Sequence, residues 1–156
     1  MRMRAWVLGA CGAVMVAAGV AGPVGAATGP EADLSFHGSA VLKEDQVEVR
    51  VSPHNDGPSA VSGASVQLRW SVPLAERQLL PGGCARTDAR TVVCDTGALA
   101  EGETGEQLTL VARLAEAPSE FTLEVDTAWN GGAVDRDRSN DRLRVLVLET
   151  GDAYAF

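Results

Sequence analysis

The sequence predicts an all-β chain: a two-sheet antiparallel β-sandwich of about seven short strands. Three observations predict it. Apolar and polar residues alternate with a period of two in one segment after another, turn-forming residues separate those segments at regular intervals, and helical periodicity is nearly absent.

The chain opens Met-Arg-Met-Arg, and from Ala5 to Val20 it contains only Ala, Val, Leu, Gly, Met, Trp and Cys. A cationic start, an apolar stretch and the small-residue exit Val24-Gly25-Ala26-Ala27 have the form of a signal peptide. Residues 1–27 are therefore expected to be removed, leaving residues 28–156 as a single domain. Gly12, Gly19, Gly22 and Pro23 favour cleavage over a retained membrane span, which needs about 20 apolar residues. A lipid anchor at Cys11 would have too few apolar residues before it. Leu148-Glu149-Thr150-Gly151 lacks the proline, hydrophobic span and basic tail of a cell-wall sorting signal. The expectation is a secreted, extracellular protein with no membrane span after cleavage.

The strands follow in order. Residues 33–36 supply the first. Val47, Val49 and Val51 then alternate with Glu48 and Arg50, and Val66, Leu68 and Trp70 alternate with Gln67 and Arg69. Residues 91–94 form a short strand, and Leu108, Leu110, Ala112 and Leu114 mark another. Phe121, Leu123, Val125, Thr127 and Trp129 alternate with Thr122, Glu124 and Asp126, ending at the turn signal Asn130-Gly131-Gly132. Residues 143–148 close the set. In each case one face meets a core and the other meets water. Residues 74–80, between Pro73 and Pro81, are expected to make one helical turn. Tyr154 and Phe156 are expected to dock on the sandwich. Trp70 and Trp129 fall on the apolar phase of their strands and are expected in the core; an exposed tryptophan would instead point to sugar stacking.

Without Arg2 and Arg4, eleven basic residues face 21 acidic ones, a net charge of −10. Such a surface repels nucleic acid and anionic lipid. Loss of Cys11 leaves Cys84 and Cys94, which an oxidising exterior should join in a disulfide. The competing reading is free thiols in a nucleophile or metal role. It has little support from a chain with no third cysteine and only two histidines.

Four landmarks stand in an order that carries a resemblance. Asn55-Asp56-Gly57-Pro58-Ser59-Ala60 follows a Val-alternating strand. Val66 to Pro73 is a strand ending in proline. Cys84 and Cys94 bracket a short segment with Gly97-Ala98-Leu99-Ala100-Glu101-Gly102 behind it, and Ser139-Asn140-Asp141 precedes a last Val/Leu strand. From about Ala32 to Leu148 the chain resembles the bacterial immunoglobulin-like surface repeats catalogued as domain of unknown function eleven. The resemblance implies an immunoglobulin-like sandwich used as a spacer, stalk or adhesive module. The chain departs from the family at Lys43-Glu44-Asp45, where a glycine-led turn is usual, and at Asp141, where the family often repeats Asn. It also has one copy rather than a tandem array, which weakens the stalk role.

Candidate chemistry is sparse. A Ser/His/Asp hydrolase needs a base, and only His37 and His54 exist; His54 is within reach of Asp56 in a turn, but no serine stands in a nucleophile context. Glu48, Glu124 and Asp126 are carboxylates on solvent faces, and no pair stands out for glycoside hydrolysis. Asp135, Asp137, Ser139 and Asp141 place oxygens at alternate positions as calcium loops do, yet the central glycine and closing glutamate are missing and Arg136 and Arg138 intervene. Arg86 and Arg90 lie between the cysteines, where one of them could serve as the specificity residue of a protease-inhibitor loop. The sequence thus leads to a non-catalytic structural or interaction module, with no catalytic, metal or cofactor site. Its expected partner is a protein or the cell envelope. Protease inhibition through the Cys84–Cys94 loop is the first alternative and hydrolysis the second.

Overall fold

The computed structural model describes residues 29–156. The expected signal peptide, residues 1–27, and Cys11 lie outside them. Nine strands run in order: β1 (Leu34–Lys43), β2 (Gln46–Asn55), β3 (Val61–Trp70), β4 (Cys84–Arg86), β5 (Thr91–Leu99), β6 (Leu108–Arg113), β7 (Glu120–Trp129), β8 (Leu143–Leu148) and β9 (Tyr154–Ala155). They form a four-stranded sheet ordered β6-β2-β1-β9 and a five-stranded sheet ordered β4-β5-β3-β7-β8, with every strand pair antiparallel. The two-sheet sandwich read from the alternation is the fold.

The alternation sets the packing. Val47, Val49 and Val51 of β2 are buried against Val66, Leu68 and Trp70 of β3 and Leu123 and Val125 of β7 in one core. A second cluster, Ala32, Leu34, Val61, Ala64, Leu99 and Ala133, fills one end of the sandwich. Trp70 is fully buried, as expected.

Two strands exceed the expected count, and both are imposed by long-range pairing. β4 exists because Cys84 stands opposite Cys94 across the β4–β5 ladder. β9 is the docked tail: Ser39 and Ala40 pair with Ala155 and Tyr154, and Gly38 exchanges two backbone hydrogen bonds with Phe156 at 3.0 and 3.1 Å. A side chain at Gly38 would run into the Arg50 carbonyl and the Phe156 ring.

The helical turn expected at residues 74–80 does not form. Leu74 makes a bridge to Leu114, and the Ala75 N–H donates to the Arg113 carbonyl at 2.9 Å. The Gln78 side-chain amide takes both backbone groups of Arg113, at 2.8 and 2.9 Å. The segment thus spends its hydrogen bonds on the end of β6. At residues 44–45 the turn lacking glycine is made by Glu44 itself, in the left-handed region at φ 59°.

Trp129 is the clearest departure. Val66 stands opposite Thr127 but Ser65 stands opposite Trp129, so Ala128 is an extra residue in β7. This bulge reverses the alternation beyond it. Ser65 shares its face with Gln67 and Arg69, and Trp129 is brought to that solvent face, 55% exposed.

Candidate functional site

The disulfide hairpin was the first candidate. Cys84 and Cys94 are bonded, closing a sequence separation of 10. Arg86 reaches into a cage of carbonyls from the hairpin tip and the segment after β3, donating to Ala75 at 2.7 Å, Asp88 at 2.8 Å and Glu76 at 3.1 Å, with longer contacts to Leu74 and Ala89. It is a brace between the hairpin and the segment after β3. Arg90 is exposed at the tip; its backbone N–H donates to Asp88 Oδ1 at 2.7 Å. That bond, with the Thr91 hydroxyl, holds the Asp88 carboxyl below its ordinary range.

His54 does meet a hydroxyl and a carboxylate. Its Nδ1 lies 2.9 Å from Thr104 Oγ1 and its Nε2 3.0 Å from Asp56 Oδ1, while Asp56 Oδ2 accepts from the Ser35 hydroxyl at 3.0 Å. The neighbouring backbone explains this arrangement. Asn55 N donates to Glu103 O, Gly102 N to Asn55 O and Gly105 N to Pro53 O, which zips residues 102–105 along β2 with His54 directly across from Thr104. Cross-strand partners of this kind touch because register puts them there. Thr104 is exposed, and neither it nor His54 lines the main concavities of the surface. His37 is exposed on β1.

Residues 135–141 fold as successive aspartate turns. Asp135 Oδ1 accepts from Asp137 N at 3.0 Å, and Asp137 Oδ1 accepts from the backbone and hydroxyl of Ser139, which holds the Asp137 carboxyl below its ordinary range. Burial raises the Asp135 carboxyl, against the hydrogen bond it accepts from Leu34 N. The fully buried Asp141 is met by Arg138 Nε at 2.9 Å, so a guanidinium stands where calcium would have to. Burial works to lower the Arg138 pKa, but Asp141 and Asp126 outweigh it and the net shift is upward. Among the described residues no group of three His, Cys, Asp or Glu side chains is arranged to hold a metal ion.

The surface that sequence reasoning missed is the solvent face of β3, β7 and β8. In-register neighbours make a row Arg69–Glu124–Arg144, and the next row holds Gln67 and Asp126. Arg138 and Arg142 both donate to Asp126, at 3.0 and 3.1 Å, and Arg144 lies 3.9 Å from Glu124. Glu124 and Asp126 therefore face outward as expected, each beside arginine. The missing signal was the bulge, which adds Trp129 to this face.

No protein-family model and no curated protein sequence matches the chain. Among solved structures, β-glucosidase 3B from Thermotoga neapolitana, determined in complex with α-D-glucose, superposes over 80% of this chain with a TM-score of 0.49 at 14% identity. The chain spans 17% of the length of that protein, and so weak a likeness says nothing of activity. Among the described residues no helix is long and apolar enough to cross a membrane.

Proposed function

We propose that the protein is a non-catalytic interaction module of the bacterial exterior, akin to the immunoglobulin-like surface repeats it resembles, and that it takes a protein partner by strand addition at β8. The free edge of β8 carries this reading. Ser71 N donates to Thr122 O, so the even-numbered residues of β7 turn their backbone groups toward β3 and the odd-numbered ones toward β8. On β8 the backbone groups of Arg144 and Leu146 consequently point outward, with no hydrogen-bond partner among the described residues. Leu146 and Leu148 are 50% and 37% exposed beside them. Open backbone groups flanked by apolar side chains are what an added strand uses. The signal-peptide form of residues 1–27 and the disulfide support an exported location.

The test is selection of extended peptides on the folded protein, followed by the Leu146→Pro variant, which removes one outward N–H and is tolerated on an edge strand. Binders should weaken at least tenfold. Binders indifferent to that substitution would remove the basis of the proposal.

Protease inhibition retains one supporting observation, the exposure of Arg90 at the tip of a disulfide-closed hairpin. A panel of trypsin-like and subtilisin-like proteases decides it: inhibition that Arg90→Ala abolishes would favour it over strand addition.

A further inference from the structure

We propose that the solvent face of β3, β7 and β8 binds a uronic-acid-containing polysaccharide, with Trp129 stacking on a sugar ring and Arg69 and Arg90 taking its carboxylates. This goes beyond strand addition and uses a different surface, the sheet face rather than its edge.

The first observation is the platform. Trp129 stands opposite Ser65, and four residues further along β3 lies Arg69, about 13 Å away at roughly 3.3 Å per residue. Between them lie Gln67 and Asp126. A short run of sugar rings fits such a line, with its apolar ring faces on the indole and its hydroxyls toward the amide and the carboxylate. Gln67 makes no side-chain hydrogen bond among the described residues, so its amide is available. The surface is concave there: a groove of about 370 Å³ is lined by Gln67, Arg69, Glu124, Asp126, Arg142 and Arg144. A second groove of about 240 Å³ continues past Arg69 and Arg144 to Arg90.

The second observation is charge. Acidic residues outnumber basic ones 21 to 11 in the mature chain, so every arginine has a carboxylate to find. Among the described residues, Lys43, Arg69, Arg77, Arg86 and Arg90 have none within 4.0 Å, and of these only Arg69 and Arg90 line the two grooves. The acid across from Arg69 is Glu124, which lies 3.9 Å from Arg144 instead. Four of the eleven basic residues, Arg69, Arg90, Arg142 and Arg144, line these two grooves. Guanidinium forks match carboxylates bidentately, and an indole face is the natural support for a sugar ring. The net negative charge does not forbid a glycan with at most one carboxylate per sugar ring, because exposed charges beyond about 8 Å are screened at physiological ionic strength. It does disfavour nucleic acid, with a phosphate charge every ~1.7 Å of duplex axis.

Calorimetry and tryptophan fluorescence with the secreted protein test this, using oligogalacturonate, oligomannuronate and hyaluronan fragments. Cello-oligosaccharides of equal length and dextran sulfate serve as comparisons. At least one uronate should bind, and Trp129→Ala and the double variant Arg69→Gln/Arg90→Gln should each weaken it tenfold or more. Arg77→Gln, at an exposed arginine elsewhere, should leave it unchanged. The proposal is overturned if no uronate binds, if cello-oligosaccharides bind as well, or if uronate and dextran sulfate binding both survive Trp129→Ala. Peptide binding that persists in Trp129→Ala while uronates fail leaves strand addition standing and the glycan site refuted.

Discussion

Asn55 is where a single substitution should cost most for the chemistry removed. Its side chain is fully buried and makes four hydrogen bonds. Oδ1 accepts from Gly57 N at 3.1 Å and Asp33 N at 3.3 Å, and Nδ2 donates to Ser59 O at 2.9 Å and Leu99 O at 3.4 Å. One amide thus ties together the approach to β1, the turn after β2 and the end of β5. The turn has no slack, because a Cβ on Gly57 would strike the backbone of Ala32 and Asp33. Asn55→Ala strands two donors and two carbonyls. Counting the two shorter bonds at about 1–1.5 kcal/mol and the longer pair at about half that gives a loss of about 3–4.5 kcal/mol. That is a large part of the ~5–15 kcal/mol by which domains are usually stable. Asn55→Asp keeps the acceptor but turns a carboxylate oxygen toward the Ser59 and Leu99 carbonyls. Burial and those carbonyls would raise its folded-state pKa above the unfolded ~3.9. A raised acid favours the folded state when protonated, so the deficit of this variant should be largest at pH 7 and shrink as pH falls toward 4. Urea unfolding at both pH values, followed by the fluorescence of buried Trp70, measures both effects. A loss under 1 kcal/mol for Asn55→Ala, or a deficit in Asn55→Asp that is equal at both pH values, would refute this account of the turn.

Other consequences can be checked the same way. Replacing Cys84 and Cys94 with serine should cost about 2.7 kcal/mol by chain entropy, read as a lower urea midpoint. Arg86→Ala should lose about 2 kcal/mol through the uncapped carbonyls, whereas Arg90→Ala should be neutral in stability. Gly38→Val would drive a Cβ against the Arg50 carbonyl as well as into the Phe156 ring, so it should destabilise the β1–β2 pairing and not the tail alone, read as a lower urea midpoint. In an NMR titration Asp88 and Asp137 should protonate below ~3.9 and Asp135 above it. The contributions of the first two are present above that value and fade as pH falls through their folded pKa, while Asp135 acts in the opposite sense.

The sandwich was legible because alternation is a direct statement of which side chains a sheet buries, and β2, β3, β6 and β7 each carry it. The elements that escaped are those whose cause lies far away in the chain. β4 has three residues and no pattern of its own; it pairs because Cys94 holds it. The segment at residues 74–80 has a proline at each end, as a helical turn would, but its backbone groups meet β6 instead. Trp129 was misplaced by the same parity rule that succeeded elsewhere, since one extra residue at Ala128 inverts every inference beyond it. The solvent face of β3, β7 and β8 was legible only as separate polar residues, and register is what assembles Arg69, Glu124 and Arg144 into a row. Asn55 was legible as part of a landmark, though two of its four partners, Asp33 and Leu99, belong to distant segments.

The edges of the two sheets are treated differently, and this bears on how the molecule meets a partner. A sheet edge with open backbone groups invites pairing, and proteins that avoid it use lysine, proline or a covering segment. In the four-stranded sheet the middle of β1 is covered by the chain's own tail, with Phe156 seated against Gly38. At the end of β6, Gln78 covers Arg113 with a side-chain amide that imitates a backbone. β8 uses neither device, as is also true of the middle of β6, where the outward backbone groups of Thr109 and Val111 stay open among the described residues; the segment Leu143-Arg144-Val145-Leu146-Val147-Leu148 contains no lysine or proline, and its outward side carries Arg144 beside two exposed leucines. Were β8 merely a terminus of the sheet, a charge at residue 146 would guard it at little cost. A leucine there, beside unpaired backbone groups, makes sense as the half of an interface that a second strand completes. The charged face and Trp129 lie on the same sheet, so a partner strand on β8 would extend the surface on which a glycan is proposed to lie.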